Sequence, residues 1–297
     1  MPETNINKEK RQKIIQNYIL RMPSFSTTVV KVLEVCNSPK TSPNELNKVI
    51  SLDPVLTGKV LTLINSTYYS LPKKVSSLTR AIIMLGINTV KNLALSTAIM
   101  GSVGGKGSFH ALDTDDFWTH SICTGVTSKI LAASIGVPAA QREEYFVAGL
   151  LHDLGKIPLN NRFPDEYTQA LEMVNAKQIN LYQAEDLTLG INHCLAGKMI
   201  AEKWKLSEAL GDAIYFHHSP GDVCEENKQV TTLVTISNIY ANILEMGSSQ
   251  GLYTDKEILT NLFDSVGIDW TTLSDIRDNV IDEIEKAKIF LEVSDKG

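Results

Sequence analysis

Helix-starting devices recur along this 297-residue chain while strand-type alternation is scarce, and that combination restricts the fold more than any other feature. Ser42-Pro43-Asn44-Glu45 has the form of a capping box with proline at the first helical position. The serine hydroxyl can accept from the third helical amide while Glu45 reaches back to the serine N–H. Asp53-Pro54 repeats the device, and Val55, Leu56, Val60, Leu61, Leu63 and Ile64 then recur at roughly helical spacing. Two further helices, "LTRAIIMLG" and "NTVKNLALSTAIM", meet at Gly86-Ile87, which reads as a hairpin or corner. Helical patterns are expected again over 113–136, 138–155, 167–177, 181–190, 192–205, 208–217 and 231–246. Two more amphipathic helices are expected in 253–297, broken at "VGIDW". The expected class is all-α, a multi-helix bundle.

One stretch resists packing. "GSVGGKGS", residues 101–108, is so rich in glycine and serine that ordering its backbone would cost more than its few side chains could return. It divides the chain into a polar lead (1–14), a helical part (15–100), a linker (101–108), a second helical part (109–218) and a C-terminal helical extension (219–297) that completes the second core. With 43% hydrophobic residues the chain can fill one large core or two modest ones. A formal charge of −6 gives no basis for general nucleic-acid affinity. Cys36, Cys123, Cys194 and Cys224 are scattered without CxxC spacing, as expected of buried or free thiols in a reducing compartment. The amino terminus is polar from its first residues, unlike a secretory signal, and the longest apolar runs are far below the roughly 20 residues a bilayer requires. The expectation is a soluble, cytoplasmic protein with neither nucleic acid nor membrane as partner and with an undetermined oligomeric state.

The histidines suggest the chemistry. His120, His152, His193, His217 and His218 each lie on or beside a different expected helix, apart from the adjacent last two. A metal site in a helical bundle needs this distribution, because its ligands converge from several helices. Asp116 and His120 are one turn apart on the same face. His152 and Asp153 occupy neighbouring positions at the end of a helix, suited to a histidine on one metal and a carboxylate bridging to a second. Lys156 follows, close enough to neutralise an anionic phosphate. Imidazoles with carboxylates suit one or two borderline divalent ions, Fe, Mn, Ni, Co or Zn, and metal-assisted phosphate ester hydrolysis. Simpler roles compete with each residue. His217 and His218 can be a helix C-terminal pair favoured by the macrodipole, Asp116 a first-turn acid, Lys156 a solvated charge, and His110 an ordinary surface histidine.

"WTHS", "GLLHDLGKI", "NHCLAG" and "FHHSP", in that order, resemble the HD superfamily of metal-dependent phosphohydrolases. "MPSF" and the run from "VISLDPVLTGKVLTLINSTYYS" to "NTVKNLAL" are similar to the HDOD branch, the HD-related output domains of bacterial signalling proteins. This resemblance implies an HD-type bundle preceded by an HDOD subdomain, the HDOD domain spanning 15–218, and a regulatory or partner-binding role. It implies metal ligation by His120, His152, Asp153, His193, His217 and His218, with Asp116 matching an extra acidic ligand and Asp153 and Lys156 in the catalytic positions. Asn238 stands where catalytic HD proteins carry a final aspartate, which replaces a charged ligand by a weak neutral oxygen donor. The Asp-Gly-x-Gly-Tyr-Pro motif of the HD-GYP branch is replaced by "HHSPGDVCEEN", so cyclic di-GMP hydrolysis is not implied. Three functions remain in view: a metal-holding regulator that binds a phosphate-containing small ligand or a signalling protein partner, an active phosphohydrolase, and a metal-free protein-binding scaffold.

Overall fold

The computed structural model describes residues 2–23, 25–36, 41–103, 110–247 and 256–295, and among these there is no strand. The amino-terminal half comprises α1 (Pro2–Arg21), α2 (Thr27–Cys36), α3 (Pro43–Ile50), α4 (Pro54–Ile64), α5 (Leu78–Leu85) and α6 (Ile87–Val103). α3 begins with the anticipated box: the Ser42 N–H donates to Glu45 Oε2 at 2.9 Å, and the Glu45 N–H to Ser42 Oγ at 3.3 Å. Asp53 caps α4 by accepting the Leu56 N–H at 2.9 Å. The corner at Gly86 turns α5 into α6 through 117°. The glycine stretch begins later than expected, since α6 carries Gly101 and Ser102. The rest of the expected linker, 104–108, lies outside the described residues.

The second half opens with α7 (Thr114–Ser134) and α8 (Ala139–Leu151), followed by α9 (Lys156–Arg162), α10 (Pro164–Lys177) and α11 (Leu181–Thr188). Then come α12 (His193–Lys203), α13 (Glu208–Phe216), a short 3-10 turn at Pro220–Asp222 and α14 (Glu225–Ile243). Four short helices close the chain where two were expected: α15 (Lys256–Val266), α16 (Trp270–Asp275), α17 (Arg277–Ala287) and α18 (Ile289–Asp295). The polar lead is helical as well, being part of α1. α7 and α14 are buried along most of their length and form the centre of the bundle. α7 crosses α8 almost backbone to backbone. A Cβ on Gly149 would lie 2.7 Å from the Thr124 carbonyl oxygen, so only glycine permits this approach.

The two halves share one continuous apolar core. A polar staple also joins them. Asn65, from "LINSTYYS", donates to the carbonyls of Leu61 and Val75 and accepts the Val75 N–H, which closes the loop after α4. That loop presents Tyr68 and Tyr69 to α7 and α8. Lys129 donates to Tyr68 Oη at 3.0 Å and to buried Glu143 at 2.8 Å, and Tyr69 Oη donates to the other Glu143 oxygen at 2.8 Å. Among the described residues no single helix is long and apolar enough to cross a membrane, and the apolar side chains of α6, Val90, Leu93, Leu95 and Ile99 among them, are core.

Removing the cation from this staple leaves a buried carboxylate without its counter-charge, at a cost of about 3 kcal/mol. Lys129→Met is therefore expected to lower the urea midpoint markedly. Lys228→Ala, which opens only the exposed 3.3 Å pair with Glu225, should change stability by less than about 1 kcal/mol. Equal midpoints for the two variants would refute the staple.

Candidate metal centre

Helix ends build this site. α8 stops at Leu151 and α13 at Phe216, and the residue after each, His152 and His217, is a C-cap histidine. Each folds its ring back so that Nδ1 meets a carbonyl three residues earlier: Gly149 at 2.7 Å for His152, Ile214 at 2.8 Å for His217. A carbonyl only accepts, so Nδ1 carries the proton in both rings and Nε2 keeps its lone pair. His193, the first residue of α12, is oriented in the same way by Glu185 Oε2, which accepts from its Nδ1 and its backbone N–H, both at 2.7 Å. Metal-ligating histidines are usually oriented by such an outer partner.

The Nε2 atoms of these three histidines, together with that of His120, which instead donates to Asn238 Oδ1, surround Asp153, which occupies the turn between α8 and α9 rather than the expected last helical turn. Asp153 Oδ2 is 3.2 Å from His152 Nε2 and 3.8 Å from His120 Nε2; Oδ1 is 3.5 Å from His193 Nε2 and 3.7 Å from His217 Nε2. Lys156, buried at the start of α9, donates to Oδ2 at 2.6 Å. Gly155 explains the close assembly. A Cβ there would collide with the His193 carbonyl and the Gly197 amide nitrogen, so glycine lets α12 bring His193 against the Asp153 turn.

Among the described residues, Asp153 Oδ1, His152 Nε2 and His120 Nδ1 are buried without a hydrogen-bond partner, as is the second oxygen of Glu185. Leaving them so in a dry interior costs about 1–3 kcal/mol each, and a cation between the carboxylate and the imidazoles would satisfy the first two. The C-terminal ends of α8 and α13 add negative partial charge, which also favours a cation. Two ligand groups result: His120, His152 and Asp153 in one, His193, His217, His218 and Cys194 in the other, each with its ligand atoms within 4.8 Å of one another. Asn238, on α14, places Oδ1 3.0 Å from His120 Nε2, in position to join the first group.

The protonation states differ across the centre. Burial, reinforced by neighbouring His152, pushes His120 down to about 3. Burial likewise holds His217 and His218 well below the ordinary histidine value. His193 goes the other way: burial opposes its charge, but the Glu185 carboxylate outweighs burial and holds it well above. For Asp153, burial favours the neutral acid, and His152 and Lys156 overcome this, keeping the carboxyl well below its usual range.

One expected residue lies apart. Asp116 is exposed in the first turn of α7, where its backbone N–H donates to the capping Asp113, and it belongs to neither ligand group. Sharing a helical face with His120 places it a turn nearer the solvent-exposed helix end. His110, expected as an ordinary surface histidine, is exposed. One residue was missed: Glu185 is fully buried, and its signal was an acid on the same face of α11 as Leu181 and Ala184. The centre opens to a cavity of about 320 Å³ whose wall includes His217, His218, Asn238 and Tyr182, with Ile258, Asn261 and Leu262 supplied by α15.

An all-helical protein with a buried histidine–aspartate centre built on helix ends is the class these features define. A sequence model of the HDOD domain matches residues 22–220, and the chain belongs to the HDOD family. It is 23% identical over 226 residues to an uncharacterized protein of Treponema pallidum (strain Nichols), covering 75% of this chain but only 43% of that relative's length. Its fold is similar to that of an HDOD domain protein of unknown function from Geobacter sulfurreducens (24% identity, TM-score 0.74, 95% of this chain and 97% of the other). It is also similar in fold to a candidate phosphohydrolase from Shewanella amazonensis SB2B (21% identity, TM-score 0.69, 93% and 97%).

Glu185→Gln keeps an acceptor for His193 but removes its charge. Metal affinity measured by chelator competition should fall about 10–100-fold with the fold retained. An unchanged affinity would remove Glu185 from the site. Because a metal must displace the His193 proton, apparent affinity should rise with pH through neutrality, by about tenfold per unit for one displaced proton. Proton release in weakly buffered solution checks this; no release would contradict it.

Proposed function

We propose that this chain is an HDOD regulatory protein that holds one or two divalent transition-metal ions, from among Fe, Mn, Ni, Co and Zn, and uses that centre to bind a phosphate-containing small ligand or to engage a signalling protein partner. One observation carries the reading: anchored imidazoles converge on the buried, partnerless Oδ1 of Asp153. Ligands of this kind suit borderline divalent ions. A bound ion would supply Lewis acidity toward a phosphoryl oxygen and acidify a bound water. His120, His152, Asp153 and Asn238 would hold one ion, and His193, His217 and His218 the other. Lys156 fixes the Asp153 carboxylate.

Asn238 favours a binder over an enzyme. An amide in place of a carboxylate removes a negative charge from the ligand set, and hard divalent ions are held less tightly by neutral oxygen. The second reading, a metal-dependent phosphohydrolase, is supported by the retained Lys156–Asp153 pair and by the Shewanella amazonensis fold relative, described as a candidate phosphohydrolase.

Elemental analysis of untagged protein supplied with Fe, Mn or Ni should give one to two equivalents of metal. Less than about a tenth of an equivalent would leave a metal-free scaffold as the better reading. Hydrolysis assays on nucleotides and cyclic dinucleotides then separate binder from enzyme. Activity present only in Asn238→Asp is the expected result. Activity in the wild type that disappears in Asp153→Ala would instead establish a phosphohydrolase.

A further inference from the structure

Cys194 is the second residue of α12, directly after His193, and is buried. None of the four cysteines is disulfide-bonded, and Cys194 alone belongs to a ligand group. Its Sγ and one ring nitrogen each from His193, His217 and His218 lie within 4.8 Å of one another. His193 Nε2 is 3.3 Å from His217 Nε2 and 3.1 Å from His218 Nε2. Metal–nitrogen bonds of about 2.0–2.1 Å set neighbouring ligand atoms about 2.8–3.0 Å apart in an octahedral shell and about 3.3–3.4 Å apart in a tetrahedral one, so these nitrogens lie within the range of coordination spacings. His217 spends its Nδ1 proton on the Ile214 carbonyl, which turns a bare lone pair toward its neighbours. The other group, His120, His152 and Asp153, contains no sulfur.

We propose that Cys194 is a thiolate ligand to a metal ion held with His193, His217 and His218, giving the protein two chemically distinct sites: one of nitrogen and oxygen, one of three imidazoles and a sulfur. This rests on the metal-binding reading above. Sulfur selects a thiophilic borderline ion, Zn or Co ahead of Mn or Mg. Four protein ligands fill a tetrahedral shell, so this ion would tie the start of α12 to the end of α13, and an incoming ligand would meet the Asp153 site, where neutral Asn238 leaves a weaker hold. The competitor for the fourth position is Asp153 Oδ1, 3.5 Å from His193 Nε2 and 3.7 Å from His217 Nε2.

The test is X-ray absorption on the full chain loaded with zinc, together with optical spectra of the cobalt form. We expect a sulfur scatterer at about 2.3 Å beside the nitrogen and oxygen shell. A near-ultraviolet sulfur-to-cobalt charge-transfer band should be lost in Cys194→Ser and kept in Cys224→Ser. Metal bound with only nitrogen and oxygen neighbours would overturn the thiolate alone, leaving the fourth position to Asp153. No bound metal would overturn both this inference and the reading it rests on. If Cys194→Ser and Cys194→Ala fail to fold, the sulfur shell of the wild type decides by itself.

Discussion

An ionised carboxylate buried among imidazoles constrains everything around it. Asp153 is 2% exposed, and burying its charge would cost several kcal/mol without compensation. Lys156 satisfies one oxygen and leaves the other, without a hydrogen-bond partner, facing the imidazoles of His193 and His217. The chain accordingly ends two helices at histidines and starts a third at another. It keeps glycine at 155 so that the third helix can approach. The close crossing of α7 and α8 at Gly125 and Gly149 then sets His120 and His152 with ring centroids 5.4 Å apart.

The same constraint links the two halves of the molecule. α8 carries both Glu143, anchored to the amino-terminal helices through Tyr69 and Lys129, and His152, one end of the ligand set. One helix therefore carries both the staple between the halves and a member of the ligand set. α15, beyond the residues the HDOD model matches, contributes Ile258, Asn261 and Leu262 to the cavity wall, so the C-terminal helices shape what the centre can meet.

Much of this could be read from the sequence. Capping residues fixed the starts of α3 and α4, because Ser42 and Asp53 act locally on the next three amides. The histidines were legible because imidazoles spread over several helices have few other reasons to share an order with His152-Asp153. α9 was not, since Pro158 looks like a breaker. Within the first turn, however, a proline lacks only an amide that no helical carbonyl would accept. Asp116 misled because periodicity gives the face of a helix and not the depth at which a residue sits. Glu185 and the Lys129 staple escaped because a buried charge is recognised by its partner, and both partners are distant in the chain or on another helix.

The most direct test is anomalous diffraction from crystals of the metal-supplied protein, collected on both sides of the absorption edge. We expect an anomalous peak within coordination distance of Asp153 and His152, about 2.0–2.2 Å, with the Nδ1 hydrogen bonds of the ligating histidines unchanged. Ordered protein with those side chains resolved and no anomalous peak among them would contradict the cation at the centre of this account.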